Sequence, residues 1–495
     1  MISSLLLSAG LLLSKAAGFA RDWLIANVFG ATVEGDIAVL VVSTPDILIG
    51  LIGNAGLLSY ITTRFREEKG DLDGAKWILR RFLLFGFLSG LSASIFLIGF
   101  EHRLISLLAP GLDESERVLA VGYIRWALLC LPVLGTGLIL SSWANATERY
   151  GILSFCNLAF NLPVIAGLIA LSFVMPDVAL YCFAGFVVGG VLVRFVIQSL
   201  ALCKLDEFAN KTPISTRAPG NALSFVLACL SGIVPLVVPL AGFAYSSLSG
   251  NGSVVIYNLL YKVGELPMVF LGAMFATALL PRMVDKVSPI AFRRLANHFL
   301  FLAIVIGGIS AALLSSLHEE VFSVLESCVK RIDESQIPFA AGLPLFLLLL
   351  PKVVVIFSST VLFARRKYGY LALVTLAFLI LYFSLLHVRA SRGIVEIYWG
   401  MFLAYAFMGV ALLGCILKHS FISIKIFSKR TAILLLACGL VSIFIRLIDA
   451  TEIRGIAAIL AGALCGTVLL CTVLWFDHFW GRILRSAVGR LRMAR

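Results

Sequence analysis

Six basic side chains sit inside long apolar runs of this sequence: Lys15, Arg21, Arg125, Arg194, Lys262 and Lys352. The acidic residues placed to match them are few, namely Asp22, Asp36, Asp46 and Glu265. A charge at the middle of a bilayer costs at least ~2.5–3.5 kcal/mol, so each faces a cavity, a partner or an interface. The balance leaves a surplus of positive charge, and a cavity lined in this way suits an anionic substrate. Every such position also has a plainer reading as a snorkelling side chain or a local ion pair. That reading is the stronger one for Arg125 and Arg194, each within reach of a headgroup region. Lys262 stands one helical turn from Glu265, a spacing that allows the two to pair.

Catalytic chemistry has little to work with here. The chain has no ATP-binding P-loop, and its longest loops run to about 20 residues, short of the extramembrane segment that a catalytic carboxylate pair or a metal loop usually occupies. Of six histidines only His298 approaches the interior of an apolar run. Ten cysteines include no CxxC pair, and most, such as Cys130, Cys182, Cys229, Cys438 and Cys465, lie in apolar surroundings as small hydrophobes. No metal site and no cofactor are expected, and the protein reads as a transporter rather than an enzyme.

The elements that must position those charges follow from composition. Apolar residues make up 60% of the 495, charged residues 14%, and mean hydropathy is +1.03. Soluble domains have about 45–50% apolar and about 25% charged residues, so the solvent of this chain is largely lipid. Continuous rather than alternating apolar runs exclude a closed barrel and predict an all-α polytopic protein. Fourteen spans are expected at roughly 3–28, 35–62, 78–100, 118–144, 151–175, 178–203, 220–246, 253–281, 295–316, 337–363, 368–387, 394–417, 431–448 and 455–476. The first lacks a basic flank and a cleavage site and reads as a retained helix. Loops on the side of the N-terminus hold 26 basic residues and the opposite loops eight, which puts both termini in the cytoplasm. The same bias accounts for a formal charge of +13 without nucleic acid, for which no basic run interleaved with aromatics exists.

An internal repeat divides the chain. Pro45-Asp-Ile-Leu-Ile-Gly50 followed by Leu57-Leu58 returns as Pro267-Met-Val-Phe-Leu-Gly272 followed by Leu279-Leu280, at an offset of 222. Arg149-Tyr150-Gly151 returns as Lys367-Tyr368-Gly369 at an offset of 218, with Ala146 and Ala364 at the same step. Two six-helix lobes are expected, 1–203 and 219–418, joined by the polar stretch from Asp206 to Arg217. Two added helices at 431–476 and a basic tail at 477–495 complete the chain.

The segment Ser14-Lys-Ala-Ala-Gly18-Phe-Ala-Arg21-Asp22, then Phe29-Gly30-Ala31, Asp36 and Pro45, resembles the opening signature of the lipid II flippase family (MurJ, also called MviN). That signature runs Ser-Arg-x-x-Gly-Phe-x-Arg-Asp, Phe-Gly-Ala, an Asp and a Pro at the same spacings. Glu265 with Pro267 is similar to the family's eighth-span motif. Asn145, Arg149 and Asn161 fit its fourth and fifth spans, and Phe363-Ala364-Arg365 the end of its tenth. The resemblance implies the fold of the multidrug/oligosaccharidyl-lipid/polysaccharide exporter superfamily, two six-helix lobes around a cationic cavity with two further helices forming a lipid groove. It implies a substrate of undecaprenyl-pyrophosphate bearing a disaccharide-pentapeptide, flipped across the bacterial inner membrane by alternating access. Lys15, Arg21, Lys262 and Arg365 become head-group contacts; Ser14, Asp22, Asp36 and Glu265 support or gate the cavity. Partners are then this lipid-linked glycopeptide, membrane lipids and, as a protein class, cell-wall synthesis machinery.

The sequence departs from the pattern in three places. Lys15 and Lys262 stand where the family has Arg, so charge survives without a bidentate fork. Ile49 replaces a further Arg and Asn54 an acidic residue. Spans seven and eleven hold no Asp or Glu, so the carboxylate sodium site of some family members is not expected. A membrane potential, acting at ~2.3 kcal/mol per charge per 100 mV, remains as a driving force. Alternatives are a flippase for another lipid-linked oligosaccharide of the O-antigen type and a non-transporting scaffold. The orientation is tested by reporter fusions. A fluorescent protein that folds only in the cytoplasm is expected to light up when fused after Arg495 and to stay dark in the loop at Arg103.

Overall fold

Within a bilayer every backbone N–H and C=O must find its partner inside the protein, and an apolar run longer than one crossing does so as a helix. The computed structural model describes residues 2–52, 61, 65, 72–147, 149–173, 176–200, 202, 222–274, 289–329, 338–365, 367–389 and 393–419. Among them the regular structure is helical throughout. The first half comprises α1 (Ile2–Phe29), α2 (Val33–Ile52), α3 (Leu72–Gly99), α4 (Glu101–Leu108), α5 (Glu114–Leu129), α6 (Leu131–Ala146), α7 (Tyr150–Leu171) and α8 (Pro176–Ser199). The second half comprises α9 (Ala222–Ser231), α10 (Val234–Ser247), α11 (Ser253–Met274), α12 (Pro289–Ser316), α13 (His318–Cys328), α14 (Gly342–Leu347), α15 (Leu349–Ala364), α16 (Tyr368–Arg389) and α17 (Ile394–Lys418). Seven described segments are long and apolar enough to cross a membrane, from Lys76–Gly99 to Ile394–Lys418. The chain is a multi-pass membrane protein.

The described parts of the first twelve expected spans fall on these helices, while the ends of the second and eighth, spans thirteen and fourteen, the basic tail and the 206–217 linker lie outside the described residues. Three spans are broken rather than continuous. The fourth divides between α5 and α6, the seventh between α9 and α10, and the tenth between α14 and α15. Each break has a proline in the first turn of the following helix: Pro132, Pro235 and Pro351. Proline lacks an N–H and its ring crowds the preceding turn, so the incoming helix yields there.

Element lengths repeat through the chain. Helices α3 and α12 are each 28 residues and start 217 apart. Helices α6 and α15 are each 16 residues, α7 and α16 each 22, and both pairs start 218 apart. The turns agree in hydrogen bonding as well. The Arg149 N–H donates to the Ala144 carbonyl, and 218 residues later the Lys367 N–H donates to that of Leu362. The echo seen in Arg149-Tyr150-Gly151 and Lys367-Tyr368-Gly369 is therefore the same helix-ending turn built twice.

Within the first half α1 packs chiefly on α7, α7 on α8, and α3 on α6. In the second half α16 packs on α17, and α15 lies between α12 and α17. The two halves meet where α11 lies along α1 and α2. Outward faces carry Leu84, Phe85, Ile95 and Phe96 exposed, as lipid requires. The α3–α6 contact uses a small-residue seam. A Cβ on Gly135 would collide with the Gly86 carbonyl oxygen, and one on Gly90 with the Leu131 carbonyl. Gly86 and Gly90 are spaced as small-xxx-small, which brings two helix backbones together where lipid gives no hydrophobic drive. Gly135→Leu is expected to cost ~1–3 kcal/mol by overpacking, measured as a lower unfolding midpoint in detergent. Gly122→Leu, at a glycine with open space around it, should change little.

Candidate functional site

Arg21 and Asp22 sit two-thirds of the way along α1 and point into its contact with α7. Arg21 is 7% exposed and Asp22 3%. The guanidinium reaches Asp22 Oδ1 through Nε at 2.8 Å and Nη2 at 2.7 Å, and Nη1 donates to Asn161 Oδ1 at 3.0 Å. Asn161 in turn donates from Nδ2 to the backbone carbonyl of Ser14 at 3.4 Å, and the Phe160 ring lies 5.8 Å from the guanidinium carbon. Ser14, Arg21, Asp22 and Asn161 thus form one bonded set that locks α1 to α7. A buried ion pair is tolerable when its donors and acceptors are bonded; Asn161 takes up Arg21 Nη1, while Asp22 Oδ2 has no hydrogen-bond partner among the described residues. The set is neutral in sum, so Arg21 carries little unmatched charge.

The unmatched charge lies one helix further on. Glu265 of α11 pairs with Lys352 of α15 at 3.7 Å, and Lys352 also donates to the Tyr261 hydroxyl at 3.4 Å. The ammonium stands 4.7 Å from the Tyr261 ring centre and 5.7 Å from that of Tyr405, in cation–π contact. Lys262 and Lys15 are within electrostatic reach of the same carboxylate. Ammonium groups from α1, α11 and α15 therefore act electrostatically on one carboxylate, with Lys352 paired to it directly. Lys352 is 9% exposed, Lys262 half-buried and Lys15 exposed. Phosphate-bearing ligands seek such an arrangement, and lysine ammonium groups meet it as point charges.

Two sequence expectations change here. Glu265 takes as its partner Lys352, 87 positions away, rather than its neighbour Lys262, because the α11–α15 contact brings the longer pairing into the buried interior. Lys352, read only as an in-span cation, joins the charged site; its signal was its place beside Pro351 at a helix break. Arg365 stands apart from the others. It caps the C-terminus of α15 and stacks on the Phe292 ring at 3.5 Å, about 20 Å of helix rise from Lys352. The plain reading of Arg125 holds, since its guanidinium pairs with Glu101 of α4.

At one end of the bundle the two halves are latched. Asp36 of α2 is 1% exposed and accepts from the backbone N–H groups of Gly252 at 2.8 Å and Val255 at 2.9 Å. Those are the orphan donors at the start of α11, so a carboxyl group of the first half caps a helix of the second. Gly252 has φ +83°, and a Cβ there would strike the Ala31 backbone, which explains the close approach of the Phe29-Gly30-Ala31 turn. The Gly111 N–H donates to Ser247 Oγ at 3.0 Å, and Asn251 Nδ2 donates to Glu116 Oε1 at 3.1 Å. Glu116 is held for this by a capping box, in which the Asp113 side chain accepts from the Glu116 N–H and Glu116 Oε2 from the Asp113 N–H. The Glu116 N–H and the Ser115 hydroxyl hold the exposed Asp113 carboxyl below its ordinary value.

The family model described as "Lipid II flippase MurJ" matches residues 25–461 of the chain. A probable lipid II flippase of Aquifex aeolicus is 26% identical over 221 residues, an alignment taking in 43% of each chain. One of Buchnera aphidicola is 23% identical over 350 residues, covering 68% of this chain and 67% of the relative. The chain thus spans less than half the length of the first of these relatives and two thirds of the second. Among solved structures, one titled "Lipid II flippase MurJ, inward closed conformation" superposes with a TM-score of 0.72 at 15% identity, over 97% of this chain and 100% of that one. An outward-facing multidrug resistance transporter of the MATE family gives 0.58 at 13% identity, over 87% and 96%. At such identities these structures establish a common fold.

The Glu265–Lys352 pair yields a double-mutant test. Glu265→Gln and Lys352→Met are each expected to destabilise by ~3 kcal/mol, the lower end for a broken buried pair because a quarter of the Glu265 side chain stays exposed. The double variant should cost clearly less than both together. Additive losses on denaturant titration in detergent would mean the two side chains do not interact.

Proposed function

Because this chain belongs to the lipid II flippase family, we propose that it carries undecaprenyl-pyrophosphate-linked peptidoglycan precursor from the cytoplasmic to the periplasmic leaflet by alternating access. The observation that carries this reading is the buried pairing of Lys352 with Glu265, on whose carboxylate Lys15 and Lys262 also act electrostatically, a surplus of cations among the described residues. A pyrophosphate entering between the halves meets a surplus of ammonium groups there, and it competes with Glu265 for Lys352. The isoprenoid tail stays in lipid throughout, so only the polar head needs a path. Arg21 supports the site from the side by fixing α1 on α7; Lys15 and Lys262, the more accessible pair, take the pyrophosphate first.

The two halves, 1–203 and 219–418, act as the lobes that rock about the substrate. With both termini in the cytoplasm of a bacterial inner-membrane protein, the latched end faces the periplasm. Asp36, Gly111 and Glu116 on one lobe and Ser247, Asn251, Gly252 and Val255 on the other then form the periplasmic gate. Its bonds are worth about 0.5–1.5 kcal/mol each net, more for one to an ionised carboxylate, so a handful hold the gate without making it permanent. Outward opening breaks them together. The driving force is the membrane potential acting on the charged site as it changes exposure.

Complementation of cells depleted of their own lipid II flippase tests the proposal at matched membrane levels. Wild type is expected to rescue growth, and Arg21→Ala and the double variant Lys15→Ala/Lys262→Ala to fail. Rescue by the double variant would remove the cationic site from the mechanism; no rescue by well-inserted wild type would point to another lipid-linked glycan. Asp36→Ala is expected to fail as well while raising the solvent labelling of a cysteine placed at Val255, because the α11 N-terminus loses its cap.

A further inference from the structure

Beside the latch, the structure has a groove that the flipping site does not use. It lies between α4, α10 and α16, encloses about 520 Å³, and crosses from one half of the molecule to the other. Leu107 and Pro110 line it from the first half, Leu240 and Ala244 from α10, and Phe383 and His387 from α16. The volume falls within the ~300–1,000 Å³ of small-ligand sites, and the walls are almost wholly apolar. Its rim residues Leu107, Leu248 and Phe383 are exposed, which in a lipid-solvated bundle means that the mouth opens to acyl chains.

Two features single out the occupant. The first is a set of hydrogen-bond donors at the headgroup level. His387 lies in the wall in the last turn of α16, Arg117 is anchored on the Pro110 carbonyl at 2.9 Å, and Arg103 of α4 has its guanidinium 5.8 Å from the Phe100 ring centre. Apolar walls that include His387, with the Arg117 guanidinium anchored on the lining residue Pro110, match a phosphodiester with a hydrocarbon chain below it. The second is continuity with the latch. Pro110 precedes Gly111, Leu248 follows Ser247, and the Gly111 N–H bonds the Ser247 hydroxyl directly behind the groove wall. A chain lying in the groove therefore touches both halves at the point where they must part.

We propose that this groove binds one acyl chain of an anionic phospholipid of the periplasmic leaflet, and that the bound chain rivets the closed gate. The leaflet assignment rests on the orientation argued above; the binding itself does not. Opening the gate separates α4 from α10 and destroys the groove, so the lipid binds the latched state alone and shifts the equilibrium toward it. Outward opening then requires the lipid to leave. The local lipid composition becomes an input to the transport cycle.

The test uses the full chain in nanodiscs of phosphatidylcholine doped with phosphatidylglycerol that carries a photoactivatable diazirine on its acyl chain. Adducts mapped by peptide mass spectrometry are expected on α10 and α16 facing the groove. Ala244→Trp, which fills it, should lower them about tenfold, the size of loss a steric block produces. Leu107→Trp on the opposite rim repeats the block should the first variant fold poorly. His387→Gln should reduce labelling by the anionic lipid and leave that by a diazirine phosphatidylcholine unchanged. Ser247→Cys, in a chain otherwise free of cysteine, should react with maleimide several-fold faster in phosphatidylcholine alone than with phosphatidylglycerol present. Labelling spread evenly around the lipid-facing helices, or unchanged in both tryptophan variants, would overturn the binding site. Equal maleimide rates in the two lipids would overturn the rivet. Neither readout involves transport, so failure of complementation and failure of this site are separate results.

Discussion

The carboxyl group of Asp36, almost fully enclosed where the two halves meet, is satisfied by backbone donors of a helix 216 positions away. That single constraint shapes the latched end. A polar group in a lipid-solvated bundle costs several kcal/mol if left unbonded, so the start of α11 and the α2 carboxyl must find each other. The requirement draws Gly252 onto the Ala31 backbone, and only glycine fits both the contact and its positive φ. The neighbouring bonds at Gly111 and Glu116 follow from the same approach.

Elsewhere the same rule sorts the buried charges by role. Arg21 is matched at once by Asp22 and Asn161, and so becomes a clamp between α1 and α7. Glu265 is outnumbered by the lysines that act on it, and the excess is what the proposed anionic head group would read. Tyrosines complete the second site, because an ammonium beside Tyr261 and Tyr405 gains from two ring faces where water is scarce. Paired and surplus charge therefore occupy adjoining places: one holds helices together, the other leaves a debt of negative charge for a ligand to settle.

Family membership and the departures from the family pattern are reconciled by this geometry. Lysines at positions 15 and 262 lose the forked donor set of arginine, yet Lys352 adds a third ammonium to the same neighbourhood. Point charges that approach from three helices tolerate more variation in the angle of a pyrophosphate than one rigid fork does. The broken fourth and tenth spans, equivalent in the two halves, give both lobes a joint at mid-span. The proposed rocking of the two halves about a fixed site would need compliance at such points.

Much of this was legible in the chain itself. Apolar run length determined the helices, since lipid leaves the backbone no alternative, and the offset near 218 between Arg149-Tyr150-Gly151 and Lys367-Tyr368-Gly369 marked a turn that the structure builds twice. The in-span charges announced that a polar interior exists. Their partners were a different matter. Local spacing allowed Lys262 to pair with Glu265, but pair energies in a low-dielectric interior depend on burial and distance, and the α11–α15 contact gave Glu265 to Lys352. The resemblance made Arg21 a head-group contact, and its bond to Asn161 across α1 and α7 could not be read from the sequence. Asp36 was expected to support or gate the cavity, but that it does so by capping a helix of the second half took the fold to show. Periodicity and composition are properties of a segment and survive in the sequence; satisfaction of a charge is a property of whatever packs against it, and only the tertiary structure decides that.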